Sequence, residues 1–164
     1  WASGACFFIR SAVYKELNGF DADFFAHQEE IDLCWRAFNK GYKIKYNSQS
    51  VVYHVGGATL QQGNPRKTEL NFRNSLLMLL KNLPKKQLIP IIFTRLLLDA
   101  VAGMQFIFQG KFKHLLAILK AHFSFYSFVA LHFKKRDVFQ SEKYYKIKSI
   151  VFQYFAKAGK VFVK

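Results

Sequence analysis

Apolar and polar positions along this chain follow two different rhythms. Ala5–Arg10 is a continuous apolar run ending in a charge, a pattern that predicts a buried strand. Ser11 stands as an N-cap to a short helix over Ser11–Leu17, which Asn18-Gly19 stops. Phe20–Phe25 reads as an aromatic-rich loop. Gln28–Asn39 then has helical spacing: Ile31, Leu33, Cys34, Trp35 and Phe38 cover a broad face, and Gly41 closes it. Tyr42–Tyr46 alternates apolar and basic residues, and Val51–Val55 is a second predicted strand. Gly56-Gly57 and Gly63-Asn64-Pro65 punctuate a loop.

From Arg66 onward the texture changes. Thr68–Asn82 predicts a helix with Leu70, Leu76, Leu77, Leu79 and Leu80 inward, ended before Pro84. Two long apolar-basic segments follow, Leu88–Gln109 and Phe112–Phe133, separated by Gly110. A last segment, Glu142–Phe155, alternates aromatics with lysines. A membrane-spanning helix needs about 20 mostly apolar residues. Arg95 and Asp99 interrupt the first long segment and Lys120 the second. The longest apolar stretch free of Lys, Arg, Asp and Glu is Ala121–Phe133. Helices lying in the membrane interface fit this pattern better than spanning ones, with lysines directed to anionic headgroups.

Charge divides the chain the same way. Its net charge of +15 falls entirely in residues 65–164, because residues 1–64 hold equal numbers of bases and acids. A neutral part and a basic, apolar part imply two different roles. The two cysteines, Cys6 and Cys34, make no disulfide framework and no zinc spacing. Both are expected to be buried free thiols.

The densest candidate chemistry is in Gln28–Arg36. Glu29, Glu30 and Asp32 fall in the first turn of a predicted helix, where unpaired N–H groups and the helix dipole favour carboxylates. That placement explains them structurally. A carboxylate held there beside an aromatic loop also makes a serviceable general base. Arg36 follows Asp32 by one turn and can pair with it as structural support. His54 precedes Gly56-Gly57, where glycines allow a close backbone approach. A lone histidine is more often structural than a metal ligand, and the histidines at 114, 122 and 132 read as helix-surface or interfacial residues.

Five linked motifs carry a resemblance. They are Trp1-Ala2-Ser3-Gly4-Ala5-Cys6, Gly19-Phe20-Asp21-Ala22-Asp23-Phe24-Phe25, Glu29-Glu30-Ile31-Asp32-Leu33-Cys34-Trp35-Arg36, Gly41-Tyr42 and His54-Val55-Gly56-Gly57. In order and spacing they resemble the second half of a bacterial family 2 glycosyltransferase, over residues 1 to about 80. The basic tail resembles, less specifically, the membrane-proximal extension of such enzymes.

The resemblance implies an α/β fold: the C-terminal half of a Rossmann-like GT-A domain over residues 1–82, followed by an all-α amphipathic extension over 83–164. It implies an inverting transfer of sugar from a nucleotide-sugar donor to a glycan or lipid-linked acceptor in cell-surface polysaccharide synthesis. The enzyme would sit peripherally on the cytoplasmic face of the inner membrane, against an anionic surface. Glu30 stands where the family has its base, an Asp; the extra methylene extends the carboxylate's reach by about 1.5 Å. Glu29 is a second candidate for that role. Trp1 and Gly4 match the acceptor side, and His54 matches a position that helps hold a divalent metal, Mg²⁺ or Mn²⁺. The main metal ligands and the donor-binding half are expected upstream of Trp1, so the chain alone is expected to be inactive. Asp21-Ala22-Asp23 matches a loop of the family, not its metal motif.

Two other readings compete. Basic residues interleaved with aromatics, as in Lys143-Tyr144-Tyr145-Lys146, can grip phosphates and stack bases. Against a nucleic-acid partner, the neutral part would then have no role and no nucleic-acid motif is present. A non-catalytic membrane-surface scaffold is the third reading.

Overall fold

The computed structural model describes residues 1–54, 63–145 and Tyr154. Among these residues it is all-helical. A short helix α1 (Ser11–Glu16) leads through a single 3₁₀ turn (Ala22–Phe24) to α2 (Glu29–Asn39). Three longer helices follow: α3 (Pro65–Asn82), α4 (Lys85–Phe108) and α5 (Phe112–Lys134).

The expected α/β architecture is therefore corrected. Ala5–Arg10, Tyr42–Tyr46 and the described part of Val51–Val55 are non-helical segments without a strand ladder. A strand is stable only when a neighbour pairs its N–H and C=O groups, and none of these segments finds that neighbour among the described residues. Phe7 and Tyr42 pack on the apolar residues of α1 and α2, but other side chains of these segments stay in solvent: Phe8 is 92% exposed and Tyr53 96%. An uninterrupted apolar run reports hydrophobicity but not pairing. Val55 itself, Gly56-Gly57 and most of Lys146–Phe155 lie outside the described residues.

The helices begin and end for local reasons. At the end of α1, Asn18 and Gly19 both take positive φ. Gly19 has no room for a side chain, since a Cβ there would meet the Tyr14 ring at 2.9 Å. Helix α3 starts three residues before its predicted position. Asn64 caps it, its Oδ1 accepting from the Arg66 N–H at 2.9 Å, and Pro65 occupies the first position, where a missing N–H costs nothing. Gly110, at φ +68°, turns α4 back into α5 as a tight helical hairpin.

Two apolar clusters hold these elements. Val13, Leu17, Leu33 and Ala37 join α1 to α2. Phe24, Leu76, Leu77, Leu80 and Phe125 join the 3₁₀ turn, α3 and α5. Helix α3 packs chiefly on α5, and the two run in the same direction. Thr68 Oγ1 lies 2.8 Å from His114 Nδ1 at one end, and the Arg136 guanidinium donates to the Leu80 and Leu83 carbonyls at the other. The chain beyond α5 returns over α2, where Tyr144 packs on Trp35 at 5.0 Å between ring centroids and donates to Gln87. Tyr144 is thus engaged within the fold. Cys34 is buried as expected, but Cys6 is exposed, because the segment around it forms no strand.

Candidate active site

Helix α2 presents its three first-turn acids in three different states. Asp32 is fully buried and fully engaged. Its Oδ2 accepts from Arg36 Nε at 2.8 Å and Lys81 Nζ at 3.0 Å, and its Oδ1 accepts from Asn82 Nδ2 at 2.8 Å. Arg36 extends this hub to the carbonyls of Leu17 and Gly19. Glu29 is half-buried, and its Oε2 is buried without a hydrogen-bond partner. Glu30 is half-exposed and makes no hydrogen bond or ion pair among the described residues. Its carboxylate lies beside Gly4, where a Cβ would sit 3.5 Å from Glu30 Cδ.

The structure therefore brings Glu30, Gly4 and the first residues of the chain together. Trp1 is 77% exposed, and Ala2 N–H reaches the buried Cys34 Sγ at 3.4 Å. An open groove of about 850 Å³ runs next to them, lined by Trp1, Phe7, Leu33, Cys34, Tyr42 and Ile44 among others. Ser3 and Ala5 line it, on either side of Gly4; Glu30 itself lies outside the lining. His54 is exposed.

The loop that delivers Glu29 and Glu30 is strained and pinned. Phe25, His27 and Gln28 all have positive φ although none is glycine. Such backbone costs on the order of 1–3 kcal/mol per residue and persists only when its surroundings impose it. Asn74 on α3 imposes it. Its Nδ2 lies 2.8 Å from the carbonyl oxygens of Phe24, Ala26 and His27. Arg73 Nε donates to Asn74 Oδ1 at 2.9 Å, which turns the amide's NH₂ toward the loop, and Arg73 Nη2 donates to the Asp23 carbonyl. Neither residue stood out in the sequence. The available signal was Asn74 on the same face as Leu70 and Leu77, a polar residue on an inward stripe.

Around the 3₁₀ turn, charge is dense but already balanced. Asp21 Oδ1 accepts from Lys135 and Oδ2 from Lys81, both at 2.8 Å, while Asp23 Oδ2 accepts from Lys135 at 2.6 Å. Burial opposes ionisation of Asp21. The hydrogen bonds from Lys135 and Lys81 outweigh it and hold the carboxyl far below the usual carboxylate range. His132, read from sequence as a surface residue, is fully buried here. Its Nε2 is 3.2 Å from Asp23 Oδ2 without the alignment of a hydrogen bond. Asp21, Asp23 and His132 are close enough to share an ion, and they are the one such group among the described residues. Two lysine ammonium groups occupy the carboxylates, so the cluster works as an ionic clasp between the turn, α3 and α5. His54 belongs to no such group among the described residues.

No family model matches the chain, and no solved structure matches it. A stretch of 60 residues, 36% of the chain, is 32% identical to N-acetylglucosaminyl-diphospho-decaprenol L-rhamnosyltransferase of Mycobacterium tuberculosis. The same figures hold for strain CDC 1551 / Oshkosh and strain ATCC 25618 / H37Rv. The stretch covers 20% of that enzyme's length. The likeness suggests a relationship to glycosyltransferases.

Proposed function

We propose that this chain is the acceptor-side part of an inverting glycosyltransferase of cell-surface glycan assembly. It would serve transfer of a sugar from a nucleotide-sugar to a hydroxyl of a glycan or lipid-linked acceptor. The observation that carries this reading is the Glu30 carboxylate at the start of α2, without a partner among the described residues and packed beside Gly4, while its neighbour Asp32 is wholly engaged. The 60-residue likeness to a rhamnosyltransferase supports the reaction class.

In the proposed reaction the acceptor hydroxyl gives its proton to Glu30. Its oxygen forms a bond to the anomeric carbon from the face opposite the nucleoside diphosphate. The bond from that carbon to the diphosphate breaks, and its electron pair leaves with the phosphate. A free carboxylate suits this task better than one held by two cations, because proton uptake by Asp32 would break its pairs with Arg36 and Lys81. The pinned loop supplies the fixed position that a base needs.

The test is Glu30→Gln in the transferase of which this chain forms part. The first assay would use nucleotide-activated L-rhamnose and an N-acetylglucosaminyl-diphospho-polyprenol, the groups in the relative's name. Turnover should fall by a factor of about 10²–10⁴ while donor binding persists. Near-normal turnover would remove Glu30 from the role of base.

A further inference from the structure

The hairpin of α4 and α5 presents two stripes of exposed apolar side chains. Phe93, Leu97, Val101, Met104 and Phe108 recur at three- and four-residue spacing on α4, and all are at least half exposed. On α5 the same spacing joins Phe112, Leu116, Leu119, Phe123 and Tyr126, again all in solvent. Both helices are long and apolar enough to cross a membrane, and only 11% of the apolar window of α4 is buried within the protein. Surfaces of this extent mark a partner.

Charge identifies the partner. Lys85, Lys86, Lys111, Lys113 and Lys120 are exposed along the hairpin. The single acid between residues 85 and 134 is Asp99, which is buried and held by Arg95 Nε at 2.6 Å and His122 Nε2 at 3.0 Å. Exposed apolar stripes flanked by lysines without exposed acids match an anionic bilayer surface.

The arrangement of α3 decides how the hairpin meets that surface. Helix α3 lies along α5 from His114 to Arg136, close to its whole length. At the hairpin-tip end α3 carries the Arg66–Glu69 ion pair and Lys67. If α4 and α5 crossed the hydrocarbon, this charged end would be carried across with the tip. Laid flat, the hairpin immerses its stripes and leaves α3 on the water side. We propose that α4 and α5 form a monotopic hairpin, lying in the plane of an anionic membrane without spanning it. This inference stands apart from the sugar-transfer reading, since it concerns lipid binding alone.

The experiment is flotation of the full chain with vesicles of phosphatidylcholine, with and without phosphatidylglycerol. The chain should float with the anionic vesicles, and added salt should weaken that binding. Leu97→Glu with Val101→Glu should reduce the bound fraction at least tenfold with unchanged helix content by circular dichroism. In a Cys6→Ser background, a cysteine from Lys111→Cys at the tip should stay reactive toward an impermeant thiol reagent added outside sealed vesicles. Protection of that cysteine would show a spanning hairpin and overturn the in-plane arrangement. Absence of vesicle binding would overturn the membrane assignment. So would a lipid-free dimer, dissolved by the same two substitutions, that does not bind vesicles; a second copy would then be what covers the stripes.

Discussion

The Asn74 side-chain amide lies 2.8 Å from the carbonyl oxygen of His27, 47 residues earlier in the chain. The same nitrogen is equally close to the carbonyls of Phe24 and Ala26. An amide nitrogen has two hydrogens, so three carbonyls share them. A single buried side chain on α3 thereby sets the backbone that leads into Glu29 and Glu30.

Replacing Asn74 by Ala should therefore act on both stability and the loop. The Phe24 carbonyl keeps the Ala26 N–H and Arg73, but the part-buried carbonyls of Ala26 and His27 lose their donor at up to about 1–3 kcal/mol, and the strained residues Phe25, His27 and Gln28 would relax. The expected loss is about 2–3 kcal/mol in denaturant unfolding, with faster amide exchange across residues 25–30. Asn74→Asp should be at least as damaging, because it sets a second acceptor against the carbonyls. A stable Asn74→Asp variant with an unchanged loop would contradict the pinning role.

Asp32 offers a separate measurement. It neutralises Arg36 and Lys81 and satisfies Asn82 at a site that excludes water. Asp32→Ala leaves buried cations without their partner and should cost about 3–5 kcal/mol. Lys81→Met should cost less, since Arg36 still meets Asp32 and Asp21 still meets Lys135. Chemical denaturation of the two variants ranks them; the reverse order would show that Asp32 is not the hub.

What was legible in the sequence follows from range. The Asp32–Arg36 pair is visible because four residues on a helix bring two side chains together. The helices α2, α4 and α5 are visible as periodicity, and Asn64-Pro65 could have fixed the start of α3 by its cap chemistry. Lys81 reaches Asp32 across 49 residues and Asn74 reaches the loop across about as many, so nothing local announces either contact. The two expected strands failed for a related reason. Their apolar runs are real, but a strand is a property of a pair, and Ala5–Arg10 contains no information about a partner. The same blindness made His132 look like a surface residue, although Phe24 and Phe128 enclose it.

Acid should loosen the clasp around the 3₁₀ turn. The folded state keeps Asp21 ionised below its ordinary value of 3.8, where the unfolded chain binds a proton. Its contribution to stability is thus complete above that value and is lost as pH falls below it. Thermal melts from pH 6 down to pH 2.5 should show this decline. Asp21→Asn should lower stability at pH 6 and flatten the acid limb. An Asp21→Asn variant with the parent's acid limb would assign the pH dependence to other carboxylates.

Glu29 and Glu30 can be told apart by their surroundings. Among the described residues Glu30 is unpaired beside Gly4, whereas one oxygen of Glu29 is buried without a partner. If Glu30 is the base, Glu30→Asp withdraws the carboxylate by about 1.5 Å but keeps its chemistry, so turnover should fall less than in Glu30→Gln. Glu29→Gln should leave the pH–rate profile in place, because an amide there can still fill the same space. Gly4→Ala adds a methyl at ordinary contact distance from Glu30, so the acceptor KM should move more than turnover does. The reverse pattern, with Glu29→Gln abolishing the acid limb of the profile and Glu30→Gln preserving it, would transfer the proton-accepting role to Glu29.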